Sequence, residues 1–346
     1  MKKILSILIA VFLLLQSLIL SGCSAHPKKF TDYSFDFFDT ATTIIGYEKE
    51  EKTFNSNCEK IKSWLLEYHK LYDIYTTYEG INNLSVLNNS QGEELVVDKK
   101  IIDLLLYAKE LYSKTEKINI ALGSVLSIWH DYRERGMQNP SQATLPPLDI
   151  LTESSKHTDI NDIIINTNNN SIIINDPQLK IDVGAIAKGF AAQEIAKKMK
   201  ENDINGYLLN LGGNVKIVGK RADGETWKVG IENPDTTSDT PYVKKLTLED
   251  MSLVTSGSYQ RFYSVNGKNY HHIIDPDTLY PAEYFLSVSI LCEDSALADG
   301  LSTALFCLPY EEGKRIIESM DSVYAMWIEK DGTQLFSKGF ENFCYE

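Results

Sequence analysis

Two predicted β-hairpins most constrain the fold of this 346-residue chain. The stretch "IIINTNNNSIIIN" (163–175) has isoleucine runs on both sides of an asparagine-rich turn, and "RFYSVNGKNYHHII" has Asn266-Gly267 at its centre. Branched and aromatic residues around such turns are typical of antiparallel strand pairs. Because hairpins rather than regular helical crossovers join most strands, we expect an α+β fold with antiparallel or mixed sheets and packed helices.

Helical periodicity describes the segments between the strands. Apolar residues recur every three or four positions between Asn55 and Tyr72, and again behind Asp98, which is the predicted N-cap of a second helix. Further helices are predicted over residues 184–202 and 295–308, and a strand over 33–47. Since the sequence shows no internal repeat or long linker, we expect one large domain over residues 30–346.

The amino-terminal segment is predicted to direct the chain out of the cytoplasm. Two lysines precede an uncharged apolar run from Ile4 to Leu20, which ends in Leu-Ser-Gly-Cys at Cys23. This pattern resembles a bacterial lipoprotein signal. We therefore expect residues 1–22 to be a signal peptide, and Cys23 to carry a lipid. Residues 23–29 would be a tether at the outer face of the cell membrane. The alternative is an uncleaved anchor helix with Cys23 buried.

Charge and cysteine spacing exclude several classes of partner and site. The formal net charge is −14, and removing the two lysines of the predicted signal peptide makes it −16. An acidic chain of this kind disfavours nucleic acid and anionic lipid as partners. The cysteines beyond Cys23 lack the close spacing of zinc sites and disulfide frameworks, so we expect free, mostly buried thiols.

Two glycine-containing segments are candidate ligand sites. In "KIDVGAIAKGFAAQ", Asp182 ends a predicted strand, and Lys188 lies in the first turns of the following helix. A helix N-terminus and a nearby lysine suit an anionic ligand such as a phosphate, although close packing of small residues explains the same glycines. The pair Gly212-Gly213 indicates either a β-bulge or the close approach of a ligand.

A third candidate lies in "DSALADGLSTALF". Asp299, Ser302 and Thr303 are spaced i, i+3 and i+4, so their oxygen atoms share one face of the predicted helix. A carboxylate with two hydroxyls suits a hard cation, and magnesium is the natural candidate. In the alternative interpretation, Asp299 complements the helix dipole and Thr303 bonds back to a backbone carbonyl.

The fourth candidate is "YHHIIDPDTLYP" (270–281). His271 and His272 are adjacent on a predicted strand and therefore point to opposite faces, so at most one of them faces a given site. The following "DPDT" either closes the strand with an Asx-type turn or places Asp275 beside the histidine. We favour His272 as the functional residue.

Five ordered segments resemble those of the FAD:protein FMN transferase (ApbE) family: "IDVGAIAKGFAA", "LLNLGGNV", "WKVGIENP", "VTSGSYQRFYSVNGKNYHHIIDPDTLYPA" and "ADGLSTALF". The resemblance extends over Phe30 to Phe336. It implies that FAD, as substrate, and Mg²⁺ bind, that a threonine or serine hydroxyl of a target protein attacks the phosphate next to riboflavin, and that AMP leaves. The acceptor would be an extracytoplasmic flavoprotein, either a redox-pump subunit or a secreted electron-transfer protein.

The resemblance also implies roles for individual residues. The magnesium ligands would be the carbonyl of Ala185 and the side chains of Asp299, Ser302 and Thr303. The residues that contact FAD would be Phe38, Tyr78, Lys117, Ile118, Asn119, Asp182, Lys188 and His272. Because an unperturbed imidazole titrates near pH ~6.5, we expect His272 to be the catalytic base, with Asp275 as the alternative.

The sequence departs from the family pattern at Leu279, where the "DPxTG" motif has glycine, and at Phe38-Asp39, where Met-Gly is usual. Glycine adopts a positive φ at little cost and leucine does not, so we expect a different turn geometry at Leu279. Two other functions remain open: hydrolysis of FAD to FMN and AMP, and flavin binding by a lipoprotein without turnover.

Overall fold

The computed structural model describes residues 26–345, so the predicted signal peptide and Cys23 lie outside the described residues. Within that range no helix is both long enough and apolar enough to cross a membrane. The helices are α1 Glu51–Tyr72, α2 Leu84–Leu87, α3 Lys99–Thr115, α4 Gly123–Gln138, α5 Leu148–Ser154, α6 Ala187–Glu201, α7 Ser295–Phe306 and α8 Tyr310–Glu318.

The strands form one large sheet and three small ones. They are β1 Lys28–Phe37, β2 Thr40–Glu48, β3 Leu95–Val96, β4 Ile163–Asn166, β5 Ser171–Ile174, β6 Tyr207–Leu211, β7 Asn214–Val218, β8 Trp227–Glu232, β9 Tyr242–Leu248, β10 Ser252–Gly257, β11 Phe262–Val265, β12 Lys268–His271, β13 Phe285–Cys292, β14 Tyr324–Glu329 and β15 Gln334–Phe336. The eight-stranded sheet has the order β1-β2-β6-β7-β10-β13-β14-β15, and its neighbouring strands are antiparallel. Both predicted hairpins form, as β4–β5 and β11–β12, and the α+β fold is confirmed.

Hydrophobic cores lie on both faces of the large sheet. Adjacent residues of β6 show this, because Leu209 packs with the core shared by α1, α6 and α7, whereas Leu208 packs with the β8–β9 hairpin. A third core joins α4 to the β11–β12 hairpin around Trp129 and Tyr263. These packed layers hold α6, α7 and the end of β12 in fixed positions around one cavity.

Several element boundaries differ from the predictions. β1 begins at Lys28, which pairs with Glu48, two residues before the expected start of the domain at Phe30. The stretch predicted as one strand over residues 33–47 is a hairpin, because Phe38 and Asp39 turn the chain with φ values of 53° and 49°. Since side-chain alternation does not report the backbone sign of φ, periodicity alone could not locate this turn.

Further segments near the candidate residues also differ from the predicted secondary structure. Lys180 forms only an isolated bridge to Leu122, so Asp182 follows an extended segment rather than a strand. The helix predicted from residue 184 begins at Ala187, because the N–H groups of Ile186 and Ala187 both bond to the Val183 carbonyl in a tight turn. His272 lies just beyond β12 rather than within it.

The expectation of a changed turn geometry at Leu279 was wrong, because this residue keeps the positive φ that a glycine would adopt. It adopts the left-handed conformation with φ 60°. Its N–H donates to the Asp275 carbonyl at 2.9 Å, and its own carbonyl accepts from Trp129 Nε1 at 2.8 Å. The buried side chain packs with Trp129 in the third core, and this packing offsets the strain of about 1–2 kcal/mol that a left-handed leucine costs.

The four cysteines in the described part of the chain are unpaired, and three of them are buried. Burial raises the pKa of the Cys58 and Cys292 thiols to about 12, so they are inert protonated thiols at neutral pH. This outcome confirms the expectation from their spacing.

Candidate active site

One cavity, with a volume of about 330 Å³, gathers most of the candidate residues. It lies between the N-terminus of α6, one face of α7, the end of β12 and the segment before α4. The candidate residues in its lining are Phe38, Lys117, Ile118, Asn119, Asp182, Ala185, Lys188, His272, Asp299 and Thr303. The structure does not bring Tyr78, Asp275 or Ser302 into the lining.

The turn before α6 presents a carboxylate and a lysine to the cavity. Asp182 accepts a hydrogen bond from the Gly184 N–H at 2.8 Å, and its own N–H donates to the Ile120 carbonyl at 2.9 Å. Burial raises the pKa of Asp182 above its ordinary value, against the opposing effects of the Gly184 N–H and nearby cations. The Lys188 ammonium lies 3.4 Å from the Gly184 carbonyl, and it makes no ion pair with any of the described residues. It is therefore positioned to bind an anionic ligand.

Asp299 projects from α7 toward the start of α6. One carboxylate oxygen accepts from the Gly189 N–H at 2.7 Å. The two helices pack so closely here that a Cβ on Gly189 would lie 2.4 Å from the Asp299 Cβ, so glycine is required. Burial raises the pKa of Asp299, although Lys188 and the Gly189 N–H act in the opposite direction. A cation in the cavity would favour the ionised form of this carboxylate.

The alternative interpretation of Asp299 as a helix-start residue does not hold. The N-cap of α7 is Asp294, which accepts from the N–H groups of Ala296 and Leu297. Asp299 lies beyond the first turn of α7, so its carboxylate does not cap the helix. Its side chain faces the cavity instead.

The two hydroxyls on α7 have different surroundings. Thr303 lines the cavity, with its Oγ1 3.1 Å from Ser256 Oγ. Ser302 is fully buried, and its hydroxyl donates to the Asp299 carbonyl at 2.9 Å and lies 2.8 Å from Ser256 Oγ. Ser302 thus holds Ser256 and the α7 backbone in place, whereas Asp299 and Thr303 reach the cavity.

The oxygen atoms at this end of the cavity could hold a hard cation. Residues 26–345 contain no group of three or more His, Cys, Asp or Glu side chains arranged to hold a metal ion. A cation here would therefore be bound by one carboxylate with neutral oxygens, which is a suitable set for Mg²⁺. Asn214 is buried and lines the cavity near Asp299, and its Nδ2 has no hydrogen-bond partner of normal geometry among the described residues. This amide lies beside the Asp299 carboxylate and acts to lower the pKa of Asp299.

His272 faces the same cavity as a neutral imidazole. Burial, together with the positive charges of Arg261 and Lys188, lowers the pKa of His272 to about 3. Its Nδ1 lies 3.3 Å from the Arg261 carbonyl. Because a carbonyl only accepts, Nδ1 carries the proton, and Nε2 can accept a proton from a substrate. His271 also lines the cavity, so the expectation that at most one of the two histidines faces a given site was wrong. Strand alternation does not apply to this pair because β12 ends at His271. The Nε2 of His271 lies 2.9 Å from the Ala282 carbonyl.

Asp275, the alternative base, is paired with a lysine. Lys117 Nζ lies 2.9 Å from Asp275 and 2.5 Å from Asp277. Burial by itself lowers the pKa of Lys117, but its hydrogen bonds to Asp277 and Asp275 outweigh that effect and raise the pKa. The Lys117–Asp275 pair therefore fastens the turn after β12 to the segment before α4.

The structure shows several lining residues that the sequence interpretation missed, namely His69, Tyr75, His130, Arg133, Asn214, Ser256 and Arg261. Arg261 donates to the Asp39 carbonyl at 3.1 Å and so joins the β1–β2 turn to the β11 segment. Arg261 lies within residues 254–282, one of the segments that carry the family resemblance, so the sequence did contain a signal for it. Tyr78 donates to Asp73 at 2.8 Å and lies 3.3 Å from His69 Nε2, so it supports the cavity wall from behind.

Comparison with known proteins agrees with this fold and site. The model of the ApbE family matches residues 36–327, and the chain belongs to that family. Proteins named FAD:protein FMN transferase are similar to it. The one from Haemophilus influenzae is 27% identical, with 96% of this chain and 94% of that protein covered. The one from Treponema pallidum is 32% identical, with 72% and 71% covered.

Solved structures show the same fold. A crystal structure of the ApbE protein from Thermotoga maritima has a TM-score of 0.80 at 24% identity, covering 92% of this chain and 100% of that chain. The flavin transferase ApbE from Vibrio cholerae has a TM-score of 0.75 at 22% identity, covering 92% and 99%. The single-domain mixed architecture is therefore that of ApbE proteins.

Proposed function

We propose that this chain transfers FMN from FAD to a threonine or serine hydroxyl of a target flavoprotein and releases AMP. The observation that carries the proposal is the convergence of Lys188, Asp299, Thr303 and His272 on one cavity. A lysine, a carboxylate and a neutral imidazole are the groups that a phosphoryl transfer requires. Membership of the ApbE family and relatives named FAD:protein FMN transferase support the same reaction.

The reaction exchanges a phosphoanhydride bond for a phosphoester bond, without oxidation or reduction. The acceptor oxygen attacks the phosphorus of the FMN half of FAD, and its proton passes to Nε2 of His272. The bond between that phosphorus and the bridging oxygen breaks, and the oxygen leaves with AMP. Lys188, which lies in the first turn of α6 at the positive end of the helix dipole, binds the pyrophosphate and stabilises its negative charge.

We further propose that Mg²⁺ is required and is held by Asp299, Thr303 and the Ala185 carbonyl. When bound, the ion neutralises charge on the pyrophosphate. Ser302 contributes by fixing Ser256 and the α7 backbone rather than through the cavity itself. The raised pKa of Asp299 supports this assignment, because a buried carboxylate with no ion-pair partner among residues 26–345 gains most from a cation.

The geometry favours His272 over Asp275 as the base. The lowered pKa of His272 makes it a weaker base than its ordinary value implies, and the negative charge of a bound pyrophosphate would raise that pKa. His272 lines the cavity with a free acceptor nitrogen, whereas Asp275 lies outside the lining and is bound to Lys117. Replacing His272 with glutamine should lower turnover by about 10²–10⁴-fold and leave FAD binding measurable. A larger loss for Asp275→Asn at unchanged stability would reverse the assignment.

The proposed place of action is the outer face of the cell membrane. The apolar run from Ile4 to Leu20 and the following Cys23 support a lipid anchor, and the acceptor would then be an extracytoplasmic flavoprotein. Cys23→Ser should shift the chain from the membrane fraction to the soluble or precursor fraction. An unchanged distribution and an unprocessed amino terminus in the wild type would contradict the anchor.

The decisive experiment begins with the acceptor. Mass spectrometry of membrane and secreted proteins should reveal an acceptor that carries an FMN-sized adduct. The adduct should disappear when the gene for this chain is deleted. The full chain, FAD and MgCl₂ should then restore the adduct on that protein, with one AMP released per adduct. Release of free FMN at the same rate with and without the acceptor would instead support FAD hydrolysis. FAD binding without AMP release would support a non-catalytic protein.

A further inference from the structure

We infer that an open groove beside the cavity binds an extended segment of the acceptor polypeptide, with Tyr33 and Phe35 as its apolar anchors. This inference rests on the proposed transfer to a protein hydroxyl. It names the surface that would bring that hydroxyl to the flavin phosphate.

The groove adjoins the cavity directly. It has a volume of about 630 Å³ and is lined by Phe35, Asp39, Thr40, Ala41, Thr43, Asn210, Gly212, Gly213, Glu232, Gln260 and Arg261. Asp39, Thr40, Gly212, Gln260 and Arg261 also line the cavity. A polypeptide lying in the groove would therefore reach the cavity entrance without any rearrangement of the fold.

The β8–β9 hairpin covers only part of one face of the large sheet. The groove floor is the uncovered part of that face. Strand register places Tyr33 opposite Thr43, and Thr43 opposite Asn210, so these three residues form a row on the same face. Phe35 contacts the groove next to this row. Tyr33 and Phe35 are 72% and 79% exposed, which is unusual for two aromatic side chains so close together.

β1 is also an edge strand. Within residues 26–345 it pairs with β2 alone, and it is ten residues long. Natural proteins usually shield long edges, because their unpaired N–H and C=O groups pair readily with another strand. An extended segment would pair with this edge through main-chain hydrogen bonds beside Tyr33, and would turn into the groove at Phe35.

The direction of β1 selects the occupant. The strand ends at Phe37, and the next residue, Phe38, lines the cavity. A segment added along β1 would thus run toward the cavity, where a threonine or serine hydroxyl is needed. Neither a second copy of this chain nor a lipid surface needs a path from β1 to the cavity. The acceptor polypeptide does need one, so it is the occupant that we assign.

The test compares two reactions of the full chain in detergent micelles. Phe35→Ser and Tyr33→Ser should each raise the KM for the acceptor protein by at least about 10-fold, because each removes an exposed aromatic anchor of the type that dominates interface energies. FAD affinity and AMP release in the absence of acceptor should stay at the wild-type level. Tyr284→Ser is the matched control, since Tyr284 is an exposed aromatic that directly precedes β13, and four strands separate β13 from β1 in the large sheet.

The outcomes separate this inference from the proposed function. If the wild type forms the adduct and both variants keep the wild-type acceptor KM, the groove assignment is wrong and the transferase function stands. If the wild type forms no adduct on a confirmed acceptor, both are wrong. Two acceptor probes are used. One is the protein identified by its adduct, and the other is a peptide of about 15 residues around the modified hydroxyl. A peptide of that length is long enough to pair along a strand the length of β1.

Photochemical crosslinking gives a second readout. Benzoylphenylalanine in place of Phe35, in full chain embedded in phosphatidylglycerol and phosphatidylethanolamine vesicles, should crosslink to the acceptor peptide. The same group in place of Tyr284 should not. Crosslinks from position 35 to lipid, or to another copy of the chain in preference to the peptide, would overturn the assignment.

Discussion

Asp299 and Asp275 are both 3% exposed, yet their surroundings are opposite. Asp275 has a lysine ammonium 2.9 Å away and lies outside the cavity lining. Asp299 lines the cavity, accepts a backbone N–H at 2.7 Å, and forms no ion pair with any of residues 26–345. Equal burial therefore does not imply an equal role.

The difference is one of charge compensation. A buried charge is costly unless it is paired, so Lys117 makes Asp275 part of the structural framework. Asp299 retains a raised pKa because Lys188 and the Gly189 N–H compensate only part of the cost of burying its charge. Active sites commonly keep such uncompensated groups for a ligand, at some expense of stability.

The largest expected effect is on catalysis at Asp299. Asp299→Asn keeps the shape and removes the charge, so Mg²⁺-dependent AMP release should fall by about 10³-fold, as when a principal electrostatic contact is lost. Thermal unfolding without Mg²⁺ should occur at the same or a higher temperature, because an unpaired buried carboxylate is gone. Wild-type turnover in this variant would mean that Asp299, like Asp275, has no role in catalysis.

At Asp275 the expected effect is on stability. Asp275→Asn leaves the buried Lys117 with the exposed Asp277 alone, and should lower the free energy of unfolding by about 3 kcal/mol in urea titrations. Asp277→Asn is the control and should cost less than about 1 kcal/mol, since its side chain is 74% exposed. Equal losses in the two variants would mean that Asp275 is not the residue that fastens the turn.

Leu279 tests whether packing maintains the same turn. Leu279→Gly relieves the left-handed strain but removes a buried side chain, so we expect a net loss of about 1–2 kcal/mol of unfolding free energy. Leu279→Ala loses the same packing and keeps a Cβ at positive φ, so it should be less stable than the glycine variant. A glycine variant more stable than wild type would show that strain outweighs packing here.

The smallest expected effect concerns pH. The pKa of Asp299 is raised in the native state, so this group favours folding at low pH, and that contribution is lost as pH rises above the unfolded value of 3.8. Mg²⁺ competes with the proton, and the difference in melting temperature between MgCl₂ and EDTA should therefore be larger at pH 8 than at pH 5. Asp299→Asn should abolish the pH dependence of that difference, whereas Asp277→Asn should retain it.

Local sequence patterns predicted much of the fold. The asparagine-rich turns specify the β4–β5 and β11–β12 hairpins, and Asp98 caps α3 by accepting from the Lys100 N–H. These features depend on residues a few positions apart, which is why periodicity and turn chemistry identify them. The spacing of Asp299 and Thr303 likewise placed both on the face of α7 that lines the cavity.

Tertiary contacts decided the remaining features of the site. Lys117 and Asp275 are 158 positions apart, and no local pattern indicates that they pair. Ser302 has the same helical spacing as its neighbours, but its hydroxyl is fully buried and donates to the Asp299 carbonyl instead of reaching the cavity. Leu279 adopts a left-handed conformation because Trp129 packs against it. The sequence by itself determined which elements form and which side chains each presents. The fold determined which elements meet, because burial and charge depend on partners that are distant in the chain.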